Sequence, residues 1–403
     1  MFEVKEISHT LKTGVIRDVS NLQNDAPWQK LVEVQALRIE DEEAELADFP
    51  EKVWGLKRLE HLTLTLSKMS SLTKTSVEGL QKLQRITQLH LPENQLKTVE
   101  GVEKVWGLTV LNLARNQLTS LPQNLGEIKY LKVLCVAGNL LKQLPESLGN
   151  LEELTDLDCS SNRLETLPES LGKMRRLQVL DTSLNQLTSF PDSLGELSRL
   201  QQLQAGCNKL STLPSDLEHL SSLKHIFLSK NSFREVPENL DALENLKLIN
   251  LSDNRINKMA VCLESVETLL LDSNRFDVFP EAITQCKNLE ILSVQMNRLS
   301  CIPASITNLT KLRHLRLGGN RISELPECIS ELGKLKHLTL NSTKVKSLPS
   351  QLHKLERLSL LDFSETNMDP LIQNAFLQSG VDGVRKHLRK KSSEHKANRL
   401  SVA

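Results

Sequence analysis

Aromatic side chains are scarce in this chain, with nine Phe, three Trp and one Tyr among 403 residues. A single large core draws much of its buried area from such rings, so their scarcity argues for many small cores instead. Net charge is missing as well: 50 Lys and Arg offset 50 Asp and Glu. That balance speaks against a generally basic nucleic-acid binder and against an acidic disordered tail. No run approaches the roughly 18 apolar residues of a membrane span. The seven cysteines, Cys135, Cys159, Cys207, Cys262, Cys286, Cys301 and Cys328, are odd in number and unclustered, which disfavours a disulfide framework. Cys159 and Cys262 are expected to pack as small apolar residues.

Catalytic signatures are absent too. There is no Gly-x-Gly-x-x-Gly, no Walker Gly-Lys-Ser/Thr, no Gly-x-Ser-x-Gly and no His-Glu-x-x-His. The expectation is a protein that is not an enzyme and has no catalytic residue, cofactor or metal. The opening residues Met1 to Glu6 lack the apolar run of a signal peptide, residue 2 is Phe, and the last residues form no prenylation box. These features lead us to expect a cytoplasmic protein without a stable membrane anchor.

What the chain has in abundance is Leu, about a fifth of all residues, where an ordinary protein merely has Leu among its commonest types. The leucines repeat. Asn recurs at Asn94, Asn116, Asn139, Asn162, Asn185, Asn208, Asn231, Asn254, Asn274, Asn297 and Asn320, mostly 23 residues apart, and Thr343 and Thr366 continue the series. Pro follows at 122, 145, 168, 191, 214, 237, 280, 303, 326 and 349. Self-similarity this regular signals a stacked repeat. In each Leu-x-Leu the two leucines point to one face, as in a short strand. The Asn sits where the chain leaves that strand, and its amide can pair the backbone groups left open by the bend. The Leu-Pro after it starts a return segment, because Pro fixes φ and has no N–H to pair. One copy cannot bury its own apolar face, so the copies must stack.

These motifs resemble the leucine-rich-repeat family, and most closely the 23-residue Leu-Pro-x-x-Leu-Gly-x-Leu copies of intracellular Ras-group proteins. The resemblance implies an α/β solenoid, a curved horseshoe with a parallel sheet on its concave side and short helical or irregular convex segments. It covers residues 34 to 370, about 13 to 15 repeats of which the first are degenerate. Ser67 holds the ladder position 27 residues before Asn94, and Val99 lies in a copy that lacks Leu-Pro and resembles phosphatase-regulator repeats. The copy from Asn254 to Asn274 is short and has no Pro, so an altered return segment is expected there. Residues 1–33 are expected to cap the first repeat, with a short helix from Ile7 to Val15 and Trp28 packed below it. Residues 371–390 read as a helical cap and residues 391–403 as a basic disordered tail. Ser392, Ser393 and Ser401 are candidate phosphosites, since Arg389 stands three residues before Ser392.

Six and four residues before each ladder position, side chains should leave the core and face a partner. Three zones appear there. Asp156, Asp158 and Asp181 cluster, which stacks like charge at the strand spacing. Phe227, Leu248, Leu270 and Ile291 make an apolar centre, with Met296 at its edge. His314, Arg316 and His337 make a basic, titratable patch. The expected function is a non-enzymatic protein-protein scaffold or adaptor in intracellular signalling. By family resemblance its partner would be a small GTPase, a phosphatase or a kinase-pathway component, and not nucleic acid. Two alternatives are a regulatory subunit of a phosphatase or other enzyme, and an effector or immune-type recognition module.

Overall fold

The computed structural model describes residues 2–8, 11–16, 28–40 and 46–400. The chain divides into two compact units, one of residues 1–209 with 214–222, the other of residues 210–213 with 223–403.

The first unit begins with an antiparallel pair, β1 (Phe2–Ser8) and β2 (Leu11–Ile16). The helix expected between Ile7 and Val15 is therefore not formed. Thr13, Val15 and Ile16 favour extended backbone, and β2 pairs in parallel with β3 (Ala36–Glu40), which a helix could not do. Gly14 lets Leu31 pack close to the strand, since a Cβ there would come within 2.7 Å of Leu31 Cδ2. Trp28 is buried as expected. From β3 every strand pairs in parallel with the next: β4 (His61–Thr65), β5 (Gln88–His90), β6 (Val110–Asn112), β7 (Val133–Cys135), β8 (Asp156–Asp158), β9 (Val179–Asp181) and β10 (Gln202–Gln204). The 27-residue step between Ser67 and Asn94 holds helix α1 (Lys74–Lys82). Thr73 caps it by accepting from the Ser76 amide at 3.1 Å.

The second unit repeats the plan with β11 (His225–Phe227), β12 (Leu248–Asn250), β13 (Thr268–Leu270), β14 (Ile291–Ser293), β15 (His314–Arg316), β16 (His337–Thr339) and β17 (Leu360–Asp362). Between β12 and β13 no return helix forms, the altered return segment expected of that short copy; the copy with Pro214 lacks one too, and most others carry a 3-10 turn such as Glu146–Asn150. Helix α2 (Pro370–Leu400) ends the described chain, interrupted by non-helical Ser379 and Gly380. It packs Ile372, Val384 and Leu388 inward. Arg385 Nη2 donates to the carbonyls of Leu355 and Leu358 at 3.3 and 2.8 Å, satisfying groups that no further repeat pairs. The helix runs through residues 391–400, which the sequence alone suggested were disordered.

The core is a stack of leucines. Leu157, Leu180 and Leu203, the middle residues of their strands, are at most 1% exposed. The ladder closes the turns. Asn162 Nδ2 donates to the carbonyls of Val136 in the previous copy and Cys159 in its own, while its Oδ1 accepts from the Leu141 amide. Thr343 and Thr366 replace Asn at the end of the stack and donate to the carbonyls of Leu340 and Phe363 in their own copies.

Candidate functional site

Most of the three-residue strands alternate a half-exposed, a buried and a half-exposed residue; in β14 the third residue, Ser293, is buried as well, and in β17 the first, Leu360, is exposed. Because β-strand side chains alternate faces, burying the middle Leu forces the first and third residues to the open face. All the expected contact residues stand at such positions and are half-exposed: Asp156, Asp158, Asp181, Phe227, Leu248, Leu270, Ile291, His314, Arg316 and His337.

The acidic zone is satisfied from within. Asp158 and Asp181 are in register on β8 and β9. Asp158 Oδ1 accepts from the Ser160 amide at 3.0 Å and from its hydroxyl at 2.7 Å, and Asp181 accepts the same pair of bonds from Ser183. Asp156 accepts from Thr155 Oγ1 at 2.6 Å. Asn112, Asn250 and Asp362 make the equivalent amide bond in their own copies. An Asn or Asp at this column therefore fixes the turn after the strand, and the trio needs no outside cation to explain it. Burial raises the Asp181 pKa above the ordinary carboxylate range, the Ser183 bonds oppose that, and Asp158 adds to it.

The apolar zone is a checkerboard rather than a column. Phe227 and Leu270 are third residues of β11 and β13, with Asn250 in register between them; Leu248 and Ile291 are first residues of β12 and β14, with Thr268 between them. Met296, 63% exposed, lies beside this surface at a left-handed turn. Polar amide and hydroxyl groups thus sit within reach of each apolar one.

In the basic zone the structure brings together two residues that the sequence only placed in one column. His314 and His337 are in register on β15 and β16, their Nδ1 atoms 2.9 Å apart and their rings edge to face. No carboxylate is bonded to either ring among the described residues. Burial, then His337, Arg316, Lys336 and Arg313, push the His314 pKa below its ordinary value. The two imidazoles thus contact each other in basic surroundings.

The other candidates fare differently. Ser392 is buried, and its Oγ accepts from Gln351 Nε2 at 3.4 Å, because α2 packs across the last repeat. That placement withdraws it as an open phosphosite. Ser393 is exposed and Ser401 lies outside the described residues. Burial pushes the Cys135 thiol up to about 11 and the Cys286 thiol up to about 12, and raises Cys159 further still, so these sulfurs stay protonated at neutral pH. Cys159 packs as a buried apolar residue as expected, whereas Cys262 is only half-buried. Among the described residues one group has the spacing of metal ligands, the exposed Asp216, Glu218 and His219 on a return segment.

Two aromatic residues escaped the sequence reading. Trp106 and Tyr130 are 63% and 65% exposed on the turns that lead into β6 and β7. Tyr130 lines a surface cleft of ≈ 670 Å³ with Thr109, Lys129, Lys132, Glu152 and Glu153. Their signal was available: Tyr130 stands where later copies have Glu153, Arg176 or Arg199, and Trp106 where they have Glu152, Arg175 or Ser198.

Two family matches agree with this geometry. The leucine-rich repeat region family matches residues 93–212 and 301–379, and the leucine rich repeat family matches residues 264–322. No curated protein matches the chain's sequence. Among solved structures, a leucine-rich-repeat protein of Leptospira interrogans is similar at 27% identity and a TM-score of 0.80, over 92% of this chain and 98% of its own. The ectodomain of the Arabidopsis receptor kinase HAESA, solved with a peptide hormone ligand, is similar at 29% identity and a TM-score of 0.60. It is matched over 80% of this chain and 56% of its own. A plant peptide hormone receptor, RGFR1, shares the fold at 24% identity and a TM-score of 0.69, over 91% of this chain and 60% of its own.

Proposed function

From the premise that this chain is a leucine-rich-repeat protein, we propose that it is a non-enzymatic interaction module that binds a partner protein on the open face of its sheet. One observation carries this reading. Phe227, Leu248, Leu270 and Ile291 stand half-exposed among polar neighbours on consecutive strands of the second unit. Apolar surface that folding leaves uncovered and rims with polar groups suits a partner's side chains. The peptide hormone bound to the HAESA ectodomain supports a peptide or protein as the class of ligand. The finer reading is an intracellular signalling scaffold of the Ras-group type, with a small GTPase, a phosphatase or a kinase-pathway component as partner. The absence of catalytic motifs and the raised thiol pKa values support a non-catalytic role.

The test begins with affinity purification and mass spectrometry to identify the partner. Phe227→Ala combined with Leu270→Ala is then expected to weaken that partner by at least about 2 kcal/mol, since buried aromatic and aliphatic anchors dominate such interfaces. The melting temperature should stay nearly unchanged, because both side chains point away from the core. Arg316→Glu is expected mainly to slow association and flatten its salt dependence. A second reading, favoured by exposed Trp106 and Tyr130, puts the partner on the turns beside the sheet. Binding that survives the double substitution and is lost with Trp106→Ala would decide for the turns.

A further inference from the structure

The paired imidazoles of His314 and His337 have a chemistry that their separate residues do not. With Nδ1 atoms 2.9 Å apart, one ring must donate and the other accept, so a single proton lies between them. Neither Nε2 has a hydrogen-bond partner among the described residues. When both rings are neutral, the donor ring has spent its only proton on the inner bond, and its Nε2 is a bare lone pair. The acceptor ring carries its proton on Nε2. The pair then offers a ligand one acceptor and one donor. One proton taken from solvent onto the bare Nε2 keeps the inner bond and makes both Nε2 atoms donors, on a pair with a single positive charge. A second proton would have to land on the inner Nδ1, break that bond and set two cations in contact.

The surroundings favour an anion. Arg316, on the same face two residues after His314, makes no ion pair among the described residues. Arg313 is held by Glu290 at 3.3 Å, and Lys336 precedes β16. From β14 the residue in register is Ile291 and from β17 it is Leu360, both uncharged. Asp362 lies beside Thr339, with Oδ1 bonded to the Ser364 amide at 2.9 Å. The free charge near the pair is thus positive. Ile291 and Leu360 flank the imidazoles, and this apolar surface suits the side chains of a peptide; a free inorganic ion would leave it uncovered.

We propose that His314, His337 and Arg316 form a carboxylate-binding site that takes up one proton from solvent as it receives an acidic segment of a partner protein. Arg316 supplies the fixed charge, and the two Nε2–H groups supply donors for the carboxylate oxygens. The choice of a protein segment rests on the sheet-face reading above; the one-proton chemistry does not. An anion placed there offsets Arg316 and Lys336, which hold the proton off in the empty site, so proton and anion bind cooperatively.

The test uses the full chain, a hexaglutamate peptide and inorganic phosphate as probes, and side-chain ¹⁵N spectra of the histidines. In the wild-type protein the pair should take up one proton on mild acidification, with one Nδ1 staying unprotonated. The hexaglutamate affinity should rise as pH falls from about 7.5 to 6, by at most about tenfold per pH unit, the slope of one linked proton. Arg316→Gln should weaken the peptide at every pH, and His337→Gln should flatten the slope. Independent titration of both rings at the ordinary histidine value, or an affinity for hexaglutamate that ignores pH, would overturn the proposal. Phosphate bound in preference to the peptide would overturn the acidic segment. Peptide binding that persists while Phe227→Ala with Leu270→Ala leaves the partner untouched would sink the apolar anchors of the proposed function and leave this site standing.

Discussion

The ladder Asn does the work of several backbone partners at once. Asn162 pairs an amide of the previous copy, a carbonyl of that copy and two carbonyls of its own. Only a primary amide has both an acceptor and two donors on so short a side chain. Asn162→Ala leaves buried backbone groups without partners, at about 1–3 kcal/mol each. The expected loss is about 2–4 kcal/mol in chemical denaturation, larger than for an exposed substitution such as Arg163→Ala. The residue before each ladder position takes a left-handed conformation, Leu184 at φ 57° and Cys207 at φ 57° among them. Only Gly138 and Gly319 occupy such a turn without a Cβ penalty. His314 adds a pH term. Its lowered pKa in the folded state means that its stabilising neutral form is fully present above the unfolded value near 6.5 and is lost as pH falls through the folded value. His314→Gln should therefore flatten the fall of stability on acidification below about pH 6.5, as followed by denaturant midpoint against pH.

At the scale of elements, the return segments decide how closely the copies pack. In the first unit the 3-10 turns Glu146–Asn150, Glu169–Lys173 and Asp192–Glu196 each carry a Gly. A Cβ on Gly149 would sit 2.3 Å from the Ser170 carbonyl oxygen, and one on Gly172 would sit 2.5 Å from that of Ser193. Those neighbours are backbone, which cannot turn aside, so the glycines set the close approach of one turn to the next. Gly149→Ala is expected to destabilise by about 1–3 kcal/mol through overpacking. The corresponding change at Gly333, whose Cβ would meet nothing within 4 Å, should be near neutral. Melting temperatures of the two variants check this. Legibility differed within this element too. The Pro that starts the turn and its loss after Asn254 were plain in the sequence, because Pro acts locally. The reason for the Gly was not, because the carbonyl it meets belongs to the next copy.

Across the molecule, stability is a sum over copies and the contacts between neighbours. Leu180, 0% exposed, has Leu157 and Leu203 in register on the strands either side. Leu180→Ala should cost about 2–5 kcal/mol, the range for a leucine cut back in a packed core. The lost protection in hydrogen exchange should centre on β8 to β10 and fade along the first unit. Balanced charge agrees with this plan: exposed ion pairs such as Arg115 with Glu93 at 2.7 Å link one copy to the next. Each is worth little by itself.

The sequence by itself determined everything that one copy settles and the next repeats: the parallel strands, their register, the buried middle leucines and the Asn ladder. Those features depend on local spacing, and 23-residue periodicity prints them many times over. It also placed the contact columns on the open face, since alternation along a strand leaves no other choice. The tertiary structure decided what depends on a neighbour. It made the start of the chain a hairpin, because β2 finds an open edge at β3. It turned Asp158 and Asp181 into turn-fixing groups through Ser160 and Ser183, and it buried Ser392 under the last helix. It also set His314 against His337, where two ordinary side chains 23 residues apart in sequence come to share one proton.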